Sequence, residues 1–123
     1  MIKETITYTD LNGLERTEDF YFNLSKTEVL EMEMGVDGGL SKMLKNIVAN
    51  QDGKQIVEYF KMILLKAYGE KATDGKRFIK SKELSTAFSQ SPAFDELFMK
   101  LATQADFAAA FVRGITPQAE TKS

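Results

Sequence analysis

The side chains best placed to do chemistry in this sequence are carboxylates. Glu28, Glu31 and Glu33 fall on one predicted helix, and Asp95 and Glu96 on a later one. Glu28 and Glu31 lie three residues apart and share a helix face, as a metal pair or an acid/base pair requires. A carboxylate hydrolase or a magnesium enzyme would be the matching chemistry. Against it, the 123 residues contain no histidine, cysteine or tryptophan. The commonest general base, the thiolate nucleophile and the usual zinc ligands are therefore missing together. Acidic side chains near a helix N-terminus also stabilise its dipole while staying solvated, and no second ligand set accompanies them. Asp52-Gly53 and Asp74-Gly75 resemble fragments of calcium loops but lack the further acidic positions and the closing glutamate. Gly35-Val36-Asp37-Gly38-Gly39 has no strand-then-helix phosphate-loop spacing and reads as a turn between helices. The expectation is a protein that is not an enzyme and holds no cofactor and no metal.

Binding chemistry is better represented. Lys71, Lys76, Arg77, Lys80 and Lys82 surround Phe78, and basic residues around an aromatic can grip phosphates and stack a base. Glu70, Asp74 and Glu83 interrupt that run, and the net charge of the chain is −2, which argues against a nucleic-acid domain. A solvated turn with Phe78 and Ile79 tucked into the core is the preferred reading. The nine phenylalanines weigh more, because large aromatics dominate both cores and interfaces. Phe88, Phe94, Phe98, Phe107 and Phe111 crowd the last third of the chain, with Phe94 and Phe98 read as core. A short final helix carrying Phe107, Phe111, Val112 and Ile115 must bury that face in its own domain or on another chain. These four are the candidate partner-binding residues.

The elements that would position these side chains follow from periodicity. Ile2, Ile6 and Tyr8 alternate with Lys3, Thr5, Thr7 and Thr9, the pattern of a half-buried strand. Asn12-Gly13 signals a hairpin, and Phe20 and Phe22 resume the alternation on the return strand. A two-residue loop would put Ile6 and Phe20 on opposite faces. A three-residue loop, Leu11-Asn12-Gly13, gathers Ile2, Ile6, Tyr8, Phe20 and Phe22 on one face and puts Gly13 where a left-handed residue is needed. The three-residue loop is expected. Ser25-Lys26-Thr27-Glu28 matches a capping box, with Leu24 and Val29 as its staple, and opens a short helix ending near Gly35. Leu40, Met43, Leu44, Ile47 and Val48 predict a second helix. Ile56, Val57, Phe60, Ile63, Leu64 and Ala67 predict a third, widened by Met62 and Leu65 and capped at Gly69. Ser81 can cap a helix through Phe88, and Ser91-Pro92 begins another. Whether residues 92–113 form one helix or two broken near Asp106 stays open.

The whole reads as an α+β fold, an N-terminal β-hairpin (1–24) followed by a bundle of about five or six α-helices. Residues 1–117 are expected to form a single domain with a helical part at 25–117. Residues 118–123 read as a polar tail. No apolar run reaches the roughly 18–20 residues of a membrane span, and the opening residues lack a signal-peptide pattern, so the cytoplasm is the expected compartment. Charge is uneven: residues 1–35 carry three basic and eight acidic side chains, residues 36–100 eleven basic and eight acidic. Such asymmetry suits contacts between copies or with a charged partner.

The order of features also resembles a known family. Phe22-Asn23-Leu24-Ser25-Lys26-Thr27-Glu28, the run from Phe60 to Gly69, Asp74-Gly75-Lys76-Arg77-Phe78-Ile79-Lys80-Ser81, the run from Ser91 to Phe98, and Phe111-Val112-Arg113-Gly114-Ile115-Thr116-Pro117 carry the resemblance. Together they are similar to the tail assembly chaperones of long-tailed, siphovirus-type phages and prophages of Gram-positive hosts. Tyr68-Gly69 followed by Asp74-Gly75-Lys76-Arg77-Phe78 is the most distinctive piece. The resemblance implies a non-enzymatic chaperone in the host cytoplasm, absent from the mature virion. It would bind the tape measure protein and keep it soluble during tail assembly. Further implied partners are the tail tube protein, a frameshift-extended form of itself and further copies in a homo-oligomer; a polar tail after Pro117 suits the short form. Two other readings stand beside it: a structural tail or connector subunit retained in the virion, and a small nucleic-acid-binding regulator.

Overall fold

A computed structural model describes residues 1–34 and 53–117. Strands β1 (Ile2–Thr9) and β2 (Glu15–Phe22) form the expected hairpin. Ile2 pairs with Phe22 and Ile6 with Glu18, even with even, and Thr9 with Glu15, odd with odd. The loop is the three-residue one. The Asp10 N–H donates to Leu14 O at 2.8 Å, the Gly13 N–H donates to Asp10 O at 2.9 Å, and Gly13 takes φ +85°. Ile6 and Phe22 are consequently buried on one face, while Lys3, Thr5, Thr7 and Thr9 are exposed on the other.

Two further strands extend this hairpin into an antiparallel sheet of order β1-β2-β3-β4. β3 (Tyr68–Lys71) follows helix α2 without a break, and β4 (Phe78–Ile79) returns beside it. Phe22 pairs with Tyr68 and Tyr21 with Gly69; Glu70 pairs with Ile79 and Lys71 with Phe78. The expectation that Gly69 caps a helix is corrected here. Gly69 lies inside β3, and a Cβ on it would stand 2.5 Å from both the Ile79 carbonyl oxygen and the Phe78 ring. Close approach of β4, not helix termination, requires glycine at this position.

Five helices lie among the described residues: α1 (Lys26–Met34), α2 (Gly53–Ala67), α3 (Lys82–Ser89), α4 (Pro92–Thr103) and α5 (Ala105–Ile115). With the strand pair they give the expected α+β class. The expected helix at Leu40–Val48, the Gly35–Gly39 turn and the 118–123 tail lie outside the described residues. Local chemistry fixes several starts. The Ser25 N–H donates to Glu28 Oε1 at 2.8 Å and the Glu28 N–H to Ser25 Oγ at 3.1 Å, which is the reciprocal capping box. Ser81 Oγ accepts from the Leu84 N–H at 3.0 Å, and Ser91 Oγ from the Phe94 N–H with Pro92 in the first turn. Residues 92–115 make two helices. The chain turns out of helical geometry at Gln104, φ −124° and ψ 96°, two residues before Asp106.

Helix α4 packs against α2, α5 and β1, and α3 against α2, β3 and α4. The core between helices and sheet is aromatic at its centre. Phe22 meets Phe111 edge-on at 5.3 Å between ring centroids, and Phe88 stacks on Tyr68 at 4.3 Å. Phe94 meets Phe88 edge-on at 5.5 Å. Two backbone bonds clasp the exit of β2: the Asn23 N–H donates to Ala67 O and the Leu24 N–H to Ile115 O, each at 2.8 Å. The ends of α2 and α5 are thereby tied to the middle of the sheet.

Candidate partner-binding face

The four candidate residues share α5 but do not share one surface. Successive residues turn by about 100° around a helix, so Phe111 and Ile115 lie within one stripe with Ala108. That stripe is buried, with Phe111 and Ile115 at 0% exposure. Phe107 and Val112 fall on opposite flanks of it and are half-buried, packed against the core at its margin. Phe107 touches the Phe111 ring at 6.2 Å between centroids. On its other side Lys100 Nζ sits 4.2 Å from the Phe107 ring centre, a cation–π contact that α4 supplies. The surface that α5 can offer another chain therefore consists of Phe107 and Val112, supported from beneath by Phe111 and Ile115.

Other apolar side chains are more exposed, and sequence reasoning did not single them out. On α1, Val29 and Met32 face the core, whereas Leu30 and Met34, four residues apart, are 59% and 79% exposed. Met99 on α4 is 57% exposed, and Val57 and Met62 on α2 are exposed as well. The signal for the α1 pair was present: its apolar residues form two opposite pairs, not one stripe. Val57 and Met62 were read as part of the covered face of their helix, and the structure turns them outward.

The charged candidates are dispersed. Glu28 is committed to its capping box and to Lys80, whose Nζ lies 2.8 Å from both carboxylate oxygens. Burial alone would raise the Glu28 carboxyl; Lys80 and the Ser25 N–H outweigh it and hold it below its ordinary value. Burial raises the Tyr59 hydroxyl above its ordinary value, and the Glu33 carboxylate adds to the rise. Among the described residues no group of three acidic side chains could hold a metal ion. Within the basic segment, Lys71, Lys76, Arg77 and Lys82 are exposed, while Lys80 is neutralised by Glu28. The Phe78 ring lies over Gly69 in place of standing free to stack a base. A cleft of about 560 Å³ beside β4 is lined by Asn23, Ser25, Glu28, Arg77, Phe78 and Lys80 among others. Glu28 and Lys80 offset each other there, and Arg77 leaves the lining with one net positive charge.

Among the described residues no helix is long and apolar enough to cross a membrane. The geometry thus offers apolar helix flanks, which suit contact with another protein chain. No curated protein and no solved structure matches this sequence. A family profile described as phage tail assembly chaperone does match it, over residues 1–123. By that whole-length match, the chain belongs to the phage tail assembly chaperone family.

Proposed function

We propose that this chaperone binds the tape measure protein in the host cytoplasm, keeps its apolar segments from aggregating, and leaves before the virion is complete. The observation that carries the reading is the build of α5. Its apolar side chains extend past the width of the buried stripe, so Phe107 and Val112 present apolar surface while Phe111 and Ile115 anchor the helix. The two side chains lie on opposite flanks, so a partner helix laid along either one would bury apolar area on both chains, the mode of helix-in-groove recognition. Family membership supports the general role, and the exposed methionines add adaptable apolar surface.

Co-expression with the tape measure protein, followed by pull-down and a solubility assay, tests the proposal. Wild-type chain should retain the partner and keep it soluble; failure to do either overturns the tape-measure reading. Phe107→Ser and Val112→Ser should lower retention several-fold while the chain still melts cooperatively. Full retention by both variants would move the partner surface elsewhere. Mass spectrometry of purified virions should miss the protein; finding it in stoichiometric amount would favour the structural-subunit reading.

A further inference from the structure

Among the described residues β1 is an edge strand. It is eight residues long and terminates the sheet. The hydrogen-bond pattern tells which of its backbone groups are open. Asp10 and Leu14 form a bonded pair next to the loop, and in an antiparallel ladder bonded and non-bonded pairs alternate. Tyr8, Ile6, Glu4 and Ile2 therefore spend their N–H and C=O groups on β2. Those of Lys3, Thr5, Thr7 and Thr9 point away from the sheet, and all four side chains are exposed. An open edge of this length is a template for another strand. β4, at the opposite edge, is two residues long.

We infer that the β1 edge pairs antiparallel with the β1 edge of a second copy of this chain, about a two-fold axis at Ile6. Self-pairing is favoured because the edge is complementary to itself. Centred on Ile6, the register places Thr5 opposite the second copy's Thr7 and Lys3 opposite its Thr9, so every open residue meets an open residue. Threonine pairs of this kind already stand on the other side of β1, where Thr7 and Thr17 share a hydrogen bond at 3.0 Å, and such pairs stabilise sheets. The two Lys3 side chains end up six residues apart along the pairing, roughly 20 Å at the strand rise, so they do not repel.

The helix beneath repeats the symmetry. A groove runs along this edge between Glu4, Thr5, Ile6 and Thr7 on one wall and Glu96, Leu97 and Lys100 on the other. Glu96 and Lys100 are one turn apart on the same flank of α4 and opposite in charge. Lys100 also lies over the Phe107 ring and would have to be shared with the second copy. A two-fold axis beside Ile6 brings Glu96 of each copy towards Lys100 of the other, the reciprocity an isologous interface demands. Met99, exposed beside them, would gain cover. The pairing does not depend on the tape-measure reading, since a monomer could hold a partner helix and a dimer could hold none.

The test uses the full chain. Sedimentation at about 100 µM should give twice the 13.8 kDa chain mass; a monomer throughout overturns the proposal, and if that monomer still captures the tape measure protein the functional reading survives alone. T5K/T7K sets lysines opposite one another across the axis and should weaken the dimer at least tenfold with little change in melting. An unaffected dimer would mean the interface lies elsewhere. Glu96→Lys should also weaken it, and E96K/K100E should restore it; no recovery overturns the α4 contact. Because the chain has no cysteine, register can be read by crosslinking. Bonded antiparallel pairs have Cα atoms about 5.5 Å apart, within disulfide range. Thr5→Cys mixed with Thr7→Cys should form a mixed disulfide dimer, whereas crosslinking of Thr5→Cys with itself would refute the Ile6-centred register.

Discussion

α1 and α5, the first and last helices among the described residues, are short helices of 9 and 11 residues, and they are held in place by different forces. α5 buries Ala108, Phe111 and Ile115 and gives its last carbonyl to the Leu24 N–H. α1 buries no residue completely. Its attachments among the described residues include a capping box, the Glu28–Lys80 ion pair and a partial apolar face made by Val29 and Met32. The difference teaches how one small chain can combine a fixed frame with a loosely held element. Apolar burial is insensitive to salt and to mild acid, whereas an ion pair at the surface weakens under both. α5 should therefore leave the frame only when the whole core opens, and α1 should be able to loosen first.

The strongest way to break this contrast is to empty the α5 anchor. Phe111 is fully buried and meets the Phe22 ring, so Phe111→Ala leaves a cavity at the junction of α5 and β2. Loss of a buried phenylalanine costs about 3–5 kcal/mol, a large share of the roughly 5–15 kcal/mol that holds a domain together. Urea unfolding should show the midpoint collapse, with α5 and the β2 exit losing hydrogen-exchange protection together. A cost under about 1 kcal/mol, against that scale, would mean α5 is not part of the frame.

A smaller effect is expected at the ion pair. Glu28→Gln preserves the capping box, since glutamine serves at that position, and removes only the charge that Lys80 meets. The two side chains are 26% and 22% exposed, so the pair should contribute up to about 1 kcal/mol. The folded-state pKa of Glu28 lies below its ordinary value. Its contribution is therefore complete above the ordinary carboxylate range and is lost as pH falls through the depressed pKa. Wild type and Glu28→Gln should differ at pH 7 and converge in acid, with the difference confined to α1 amides. A gap that persists below that range would assign the effect to packing.

What the sequence revealed divides along the same line between local and distant causes. The capping residues Ser25, Ser81 and Ser91 were legible because cap and capped amide lie within three residues. The hairpin register was legible because parity alone separates the two possible loops. β3 and β4 were not legible. Tyr68–Lys71 is a strand because β2 lies beside it, and β4 is two residues long, too short for any alternation to register. Gly69 carried a real signal, but a glycine after an apolar helix reads equally well as a cap. The α4–α5 break at Gln104 was one of two open readings, placed near Asp106. Pattern could not choose between them because apolar spacing continues through the break. At the candidate face, Phe107, Phe111 and Ile115 recur every four residues and look like one stripe. Each such step advances about 40° around the helix, which carries Phe107 to the margin while Phe111 and Ile115 stay inside. Lys80 stands 52 residues from Glu28, beyond any pattern in the sequence.

The least costly change should be on the outer face of α1. Leu30 and Met34 are large, apolar and mostly exposed, so replacing both with serine removes almost no buried area. Surface changes of this kind stay within about 0.5 kcal/mol each. Their helix propensity falls slightly, because serine competes for backbone hydrogen bonds where leucine and methionine do not. The urea midpoint of Leu30→Ser/Met34→Ser should thus remain close to wild type, with some fraying at Met34 where the helix ends. A loss of about 2 kcal/mol or more, the scale of burying such side chains, would show that this face is covered in the folded chain. α1 would then be held by apolar contact on two sides, and the contrast with α5 would collapse into a difference of degree.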